Sequence, residues 1–159
     1  MTAASTAAMA AMTPSIQNRP SASPALAEYR VGGEFDVAAV VAGVMRFCAC
    51  HHFHALFAAH VATAASELAN NLWLYAHHGG VVRVRLLTDT ESAGVELVAE
   101  DDGPGIADLA QALREGYSSG GGMGCGLPGV QRLMDALQID TGPGRGTRVV
   151  ARKWQLRRG

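Results

Sequence analysis

Residues 93–106, "AGVELVAEDDGPGI", decide the fold, because one short run holds both an apolar strand and its abrupt stop. The first part, through Asp101, carries the β-branched and aliphatic residues of a strand with a buried side. Glu100, Asp101 and Asp102 then set three carboxylates against Gly103, Pro104 and Gly105, which is turn chemistry. As an ordinary acidic turn the stretch needs no further account. A ligand gives it one: a carboxylate at a strand end accepts a hydrogen bond from an exocyclic amine such as that of adenine, and the glycines let a ring approach the backbone.

Upstream, "VVRVRLLT" (residues 81–88) alternates as a half-buried strand, and Glu28–Val31 is a short strand candidate. Between them lie two helical patterns. From Asp36, apolar residues recur at three- and four-residue steps through Val37, Val40, Val41, Val44, Met45 and Cys48. A second helix spans about 55–76, with Phe57, Val61, Ala64, Leu68, Leu72 and Tyr75 on one face and Gly79-Gly80 stopping it. Downstream, "ADLAQALREG" reads as a short helix closed by Gly116. Leu127, Val130, Leu133, Met134 and Leu137 mark a third main helix, with Pro128 in its first turn. "GTRVVARKW" is the final strand. This order predicts a two-layer α/β sandwich, a mixed sheet with helices packed on one face.

Bulk properties narrow the functional classes. The 159 residues fit one domain, and 48% hydrophobic residues indicate a folded core. A net charge of −1 gives no case for nucleic-acid or anionic-membrane binding. The one tight basic group, Arg152, Lys153, Arg157 and Arg158, reads as a solvated C-terminal tail. Three cysteines make no disulfide framework, which predicts a reducing, cytoplasmic setting. No apolar run reaches the ~20 residues needed to span a bilayer, and residues 1–18 lack the basic start of a signal peptide. Residues 1–27, rich in Ala, Ser, Thr and Pro, are expected to form a disordered extension, and residues 157–159 a basic tail. In "CACHHFH" (residues 48–54) a metal site competes with a helix C-terminus, where histidines suit the dipole and Cys48 continues the apolar stripe. The helix end is the better reading.

Two further motifs join the acidic turn. In "SELANN", Glu67 and Asn71 stand one helical turn apart on the same face, at the edge of the buried stripe. Asn offers a neutral oxygen to Mg2+, and Glu a proton acceptor beside it. Taken on its own, the pair is better read as an exposed polar face. In "SSGGGMGCGLPG" (residues 118–129) glycines run into a helix, and bare amides at a helix N-terminus favour phosphate. No Walker Lys-Ser/Thr follows them. They also come too late in the chain for a dinucleotide fingerprint.

In this order and spacing the motifs resemble the GHKL ATPase superfamily. Glu67-x-x-x-Asn71 matches its N box, Asp101-x-Gly103-x-Gly105 its G1 box, and Gly122-x-Gly124-x-Gly126-Leu127 its G2 box. "SELANNLWLYA", "EDDGPGI", "LREGYSSGGGMGCGLPGVQRLMD" and "GRGTRVVARKW" are most similar to the small serine/threonine kinases of bacterial partner-switching modules, the stressosome switch kinase and anti-sigma-factor kinases. The resemblance covers about 28–156 and implies the Bergerat sandwich, with ATP and Mg2+ as cofactors. Asn71 would hold Mg2+ and Glu67 would act as, or orient, the general base on a seryl hydroxyl. Asp101 would read the adenine amine, with Glu100 and Asp102 facing solvent, and Gly103 and Gly105 would let the nucleotide sit close. Gly122, Gly124, Gly126 and Leu127 would wrap the phosphates, with Ser118 and Ser119 in a lid and Thr147 on the adenine side. The implied substrate is a STAS-domain antagonist, and the implied partners are a PP2C-type phosphatase and, as a third possibility, a sigma factor. A nucleotide-gated binding module without transfer is the alternative. Histidine kinases usually carry Asn at the position of Glu67 and adjoin a phosphoacceptor helix domain, so Glu67 favours transfer to an external Ser or Thr. Two positions depart from the pattern: Tyr75 stands where many members have a basic residue, and Cys125 lies inside the G2 box.

Overall fold

The computed structural model describes residues 26–114 and 126–157. The order is β1 (Leu26–Val31), α1 (Glu34–Cys50), α2 (Ala55–Tyr75), β2 (Gly80–Thr88), β3 (Ser92–Asp101), α3 (Leu109–Ala112), α4 (Gly126–Leu133), β4 (Ala136–Thr141) and β5 (Thr147–Leu156). The five strands form one sheet in the order β1-β2-β3-β5-β4, and the helices cover one face as a second layer.

The sheet is antiparallel throughout among the described residues, not mixed as expected. The cause lies in the connections. Two antiparallel helices between β1 and β2 return the chain to the end it left, so Val31 pairs with Gly80 and the strands oppose. The connection from β3 through α4 does run β3 and β4 in the same sense. β5 then inserts between them and pairs antiparallel with both.

α1 begins where the Asp36 carboxylate accepts from the Gly32 and Gly33 amides, at 2.8 and 3.1 Å, satisfying donors that the first turn leaves open. β1 starts at Leu26, two residues before the strand read from sequence. α2 stops before Gly79, which sits at φ +67; a Cβ there would collide with the Val31 carbonyl oxygen. Tyr29 lies where a side chain on Gly43 would be, so that glycine lets β1 and α1 close together.

One sheet face, with Val82, Val84, Val95, Leu97, Ala99, Val149 and Ala151, meets Val40, Val44, Val61, Leu68 and Val130 of the helices. Cys48 is fully buried in this layer, and burial pushes its thiol up to about 11. Three sequence assignments change. Met45 and Tyr75 turn outward, and Leu137 belongs to β4, because α4 already ends at Leu133. The open face carries charge. Glu100 takes Arg83 at 2.9 Å and Arg148 at 2.7 Å, while Glu96, only 5% exposed, takes Arg85 at 2.8 Å and Arg152 at 2.7 Å. Arg152 and Lys153 are therefore β5 residues and not a solvated tail; the Lys153 ammonium donates to the Leu133 carbonyl at 2.8 Å.

Candidate functional site

The alternation of β3, β4 and β5 turns Asp101, Thr141 and Thr147 to the helix-covered side, one step beyond the core residues Ala99, Ile139 and Val149. Thr147 is opposite Asp101 on one side and Thr141 on the other. The Asp101 carboxylate accepts from the Gly103 amide at 2.8 Å, closing a tight turn. Burial raises the Asp101 carboxyl above its ordinary range; the Gly103 amide opposes this, Asp102 adds to it, and the Thr147 amide opposes it. A Cβ on Gly103 would stand 2.9 Å from that carboxylate and 3.0 Å from the Cα of Ala76. Gly105, at φ +76, passes so close to the Gly142 carbonyl that a side chain has no space. The Gly144 amide donates to the Pro104 carbonyl at 2.8 Å, so the acidic turn is clamped to the turn between β4 and β5.

Glu67 and Asn71 are half buried on α2, while Leu68 and Leu72 beside them are 1% and 3% exposed. Glu67 accepts from the Gly126 amide at 3.2 Å, which ties it to the first residue of α4. Burial raises the Glu67 carboxyl and the Gly126 amide opposes the rise. Leu127, 5% exposed, seats α4 in the core. Ala76, just past α2, touches the acidic turn, and Glu67 lies nine residues earlier, about 14 Å along the axis. The two ends of the site are thus separated on the scale of an extended nucleoside triphosphate.

The structure brings Asp101, Gly103, Gly105 and Thr147 to one end and Glu67, Asn71, Gly126 and Leu127 along α2 and α4. Ser118, Ser119, Gly122 and Gly124 lie outside the described residues, as does Cys125. Asp102 is exposed as expected, whereas Glu100 is held between Arg83 and Arg148 on the open face. One residue escaped the sequence reading. Thr141 accepts from the Ile106 amide at 2.8 Å, lies 3.1 Å from the Gly146 carbonyl and lies 2.9 Å from the Thr147 hydroxyl. Its signal is slight: a hydroxyl ending the strand "ALQIDT" just before a glycine-rich turn.

The chain is similar to several known proteins. Residues 34–153 match the histidine kinase-like ATPase domain. The chain is 44% identical over 96 residues to the serine/threonine-protein kinase RsbT of Bacillus subtilis, an alignment spanning 60% of this chain and 71% of that protein. It is 30% identical over 99 residues to the anti-sigma F factor of Clostridium beijerinckii, spanning 58% and 68%. A chain of the SiaB–SiaC complex from Pseudomonas aeruginosa shares the fold, with a TM-score of 0.50 at 11% identity over 82% of this chain and 89% of that one.

Proposed function

The chain belongs to the histidine kinase-like ATPase domain family, and from that premise we propose that it is an ATP-dependent protein serine/threonine kinase of a bacterial partner-switching pathway. Its substrate in this reading is a STAS-domain antagonist, and once released it activates a PP2C-type phosphatase. The catalytic domain is residues 26–156, preceded by an extension, followed by a short basic tail and working in the cytoplasm. No helix among the described residues is long and apolar enough to cross a membrane.

One observation carries the reading. Glu67 is a half-buried carboxylate with raised proton affinity, one helical turn from Asn71 and fixed by the Gly126 amide at the start of α4. A carboxyl tuned upward is a better proton acceptor, as a base facing a seryl hydroxyl requires. The residues also fit the ligands. The half-buried Asp101 carboxylate, held by the Gly103 amide, offers an acceptor to the amine of adenine, and the Asn71 side-chain oxygen is a hard donor of the kind Mg2+ takes. Bound ATP with Mg2+ supplies the phosphoryl group and neutralises its charge.

Around that ligand each side chain has a separate task. Asp101 accepts from the amine, Thr147 lines the same end, and Asn71 holds the metal. Glu67 takes the proton of the incoming hydroxyl. The Gly126 amide keeps Glu67 in place, and the glycines preceding it in the sequence would offer the donors to phosphate.

The decisive experiment incubates the protein with Mg-ATP and its cognate STAS-domain protein. Phosphate on a Ser or Thr, lost in Glu67→Gln while nucleotide binding persists, is the expected result. Stable partner binding without transfer would instead favour a nucleotide-gated anti-sigma factor, a second reading supported by the 30% identity to the anti-sigma F factor.

A further inference from the structure

The Thr141 hydroxyl has three polar neighbours, and a count of protons among them is restrictive. The Ile106 amide can only donate, so Thr141 Oγ1 accepts from it at 2.8 Å. The Gly146 carbonyl can only accept, so the single Thr141 proton goes there across 3.1 Å. Thr147 Oγ1, at 2.9 Å, is then satisfied by donating its own proton into the remaining lone pair of Thr141. Any other assignment leaves the carbonyl of the buried Gly146 without this donor.

We propose that Thr141 is a positioning residue that sets purine selectivity, by drawing the Thr147 hydroxyl proton away from the ligand and leaving Thr147 a pure acceptor. The inference rests on the adenine-nucleotide reading above. Thr147 and Asp101 hold paired positions on β5 and β3, and with its proton withdrawn to Thr141 the Thr147 hydroxyl would join the Asp101 carboxylate as an acceptor at the adenine end. Two acceptors suit an exocyclic amino group, which carries two donors and no acceptor. They oppose a 6-keto oxygen, which would meet lone pairs with lone pairs. A site whose polar groups are fixed in this way rejects the wrong partner strongly, because mismatched groups lose water and gain nothing. Thr141 thus acts on a base it does not touch.

The test is calorimetric titration of the full chain with Mg-ATP and Mg-ITP, which differ in the 6-amino and 6-keto groups and in N1 (an acceptor in adenine, an N–H donor in hypoxanthine). Purine riboside triphosphate, which keeps the N1 acceptor and lacks the 6-amino group, is the control for N1. Wild type is expected to favour ATP. In Thr141→Val the Thr147 hydroxyl is freed to donate, and the ATP-to-ITP affinity ratio should fall about tenfold or more. Thr141→Ser should restore it. A purely structural role for Thr141 would weaken both nucleotides together and leave the ratio unchanged, which overturns the inference. Should Thr141→Val fail to fold, Thr147→Val carries the same expectation, since it removes the acceptor itself; an unchanged ratio there also overturns it. Equal wild-type affinities sink the selectivity inference and leave the nucleotide site standing. Binding of neither triphosphate overturns the site and the inference together.

Discussion

Glu67 and Asp101 are both carboxyls raised mainly by burial, and the sign of that shift has consequences for stability and for binding. A folded-state value above the unfolded one means the fold favours the neutral form. That stabilisation is complete below the unfolded carboxyl range, about pH 4, and is lost as pH rises through the raised values. Glu67→Gln and Asp101→Asn should therefore melt higher than wild type at neutral pH without ligand, and the gap should close toward acid, as measured by calorimetric melts. The same Glu67→Gln change should reduce phosphoryl transfer by about 10²- to 10⁴-fold, read by phosphate incorporation, with nucleotide affinity little changed. Asp101→Asn should weaken adenine-nucleotide binding by roughly tenfold or more. In wild type, affinity should decline as pH falls through the raised Asp101 value, as seen in titrations across acid pH. The types and spacing of Glu67, Asn71, Asp101 and Gly103 were legible in the chain, because a helical turn and a strand end fix such local relations. The contact from Glu67 to Gly126 was not, since 59 residues separate its partners.

Within the elements, periodicity found the helices but misjudged their ends. α1 and α2 came through because their apolar stripes repeat over 17 and 21 residues. Leu137 fitted the α4 stripe by spacing, yet the chain leaves the helix at Leu133 to pair with β5, and strand pairing overrides a spacing match. Met45 and Tyr75 sit at stripe margins and stay 40% and 48% exposed among the described residues. Two substitutions test these elements. Leu68→Ala, on the buried face of α2, should destabilise by about 2–5 kcal/mol in denaturant unfolding. Gly79→Ala should lower stability by about 1–3 kcal/mol, because φ +67 and the Val31 carbonyl both exclude a side chain. A neutral Gly79→Ala result would mean that the α2–β2 turn is not held this tightly.

At the scale of the whole molecule, one sheet serves two environments: its inner face packs the helices and its outer face holds arginine–glutamate chains. Glu96 is the most enclosed member, gripped by Arg85 and Arg152, so Glu96→Ala leaves two guanidinium groups without their anion. It should cost about 1–3 kcal/mol, checked by urea unfolding. Arg83 and Arg148 hold the Glu100 carboxyl below its usual range, so its contribution is present above the unfolded value and lost as pH falls through the folded one. Glu100→Gln should thus flatten the acid limb of the stability profile, the opposite response to Glu67→Gln. The sequence by itself determined the sandwich class, the helix-bearing layer and the types of residue offered to a nucleotide. Those follow from periodicity, turn chemistry and motif spacing, which are properties of neighbours along the chain. Tertiary structure alone decided that the sheet is antiparallel, that β5 inserts between β3 and β4, and that Thr141 meets Ile106 and Thr147. Such pairings depend on which strands lie side by side, and strand insertion leaves no periodic trace in the residues it brings together.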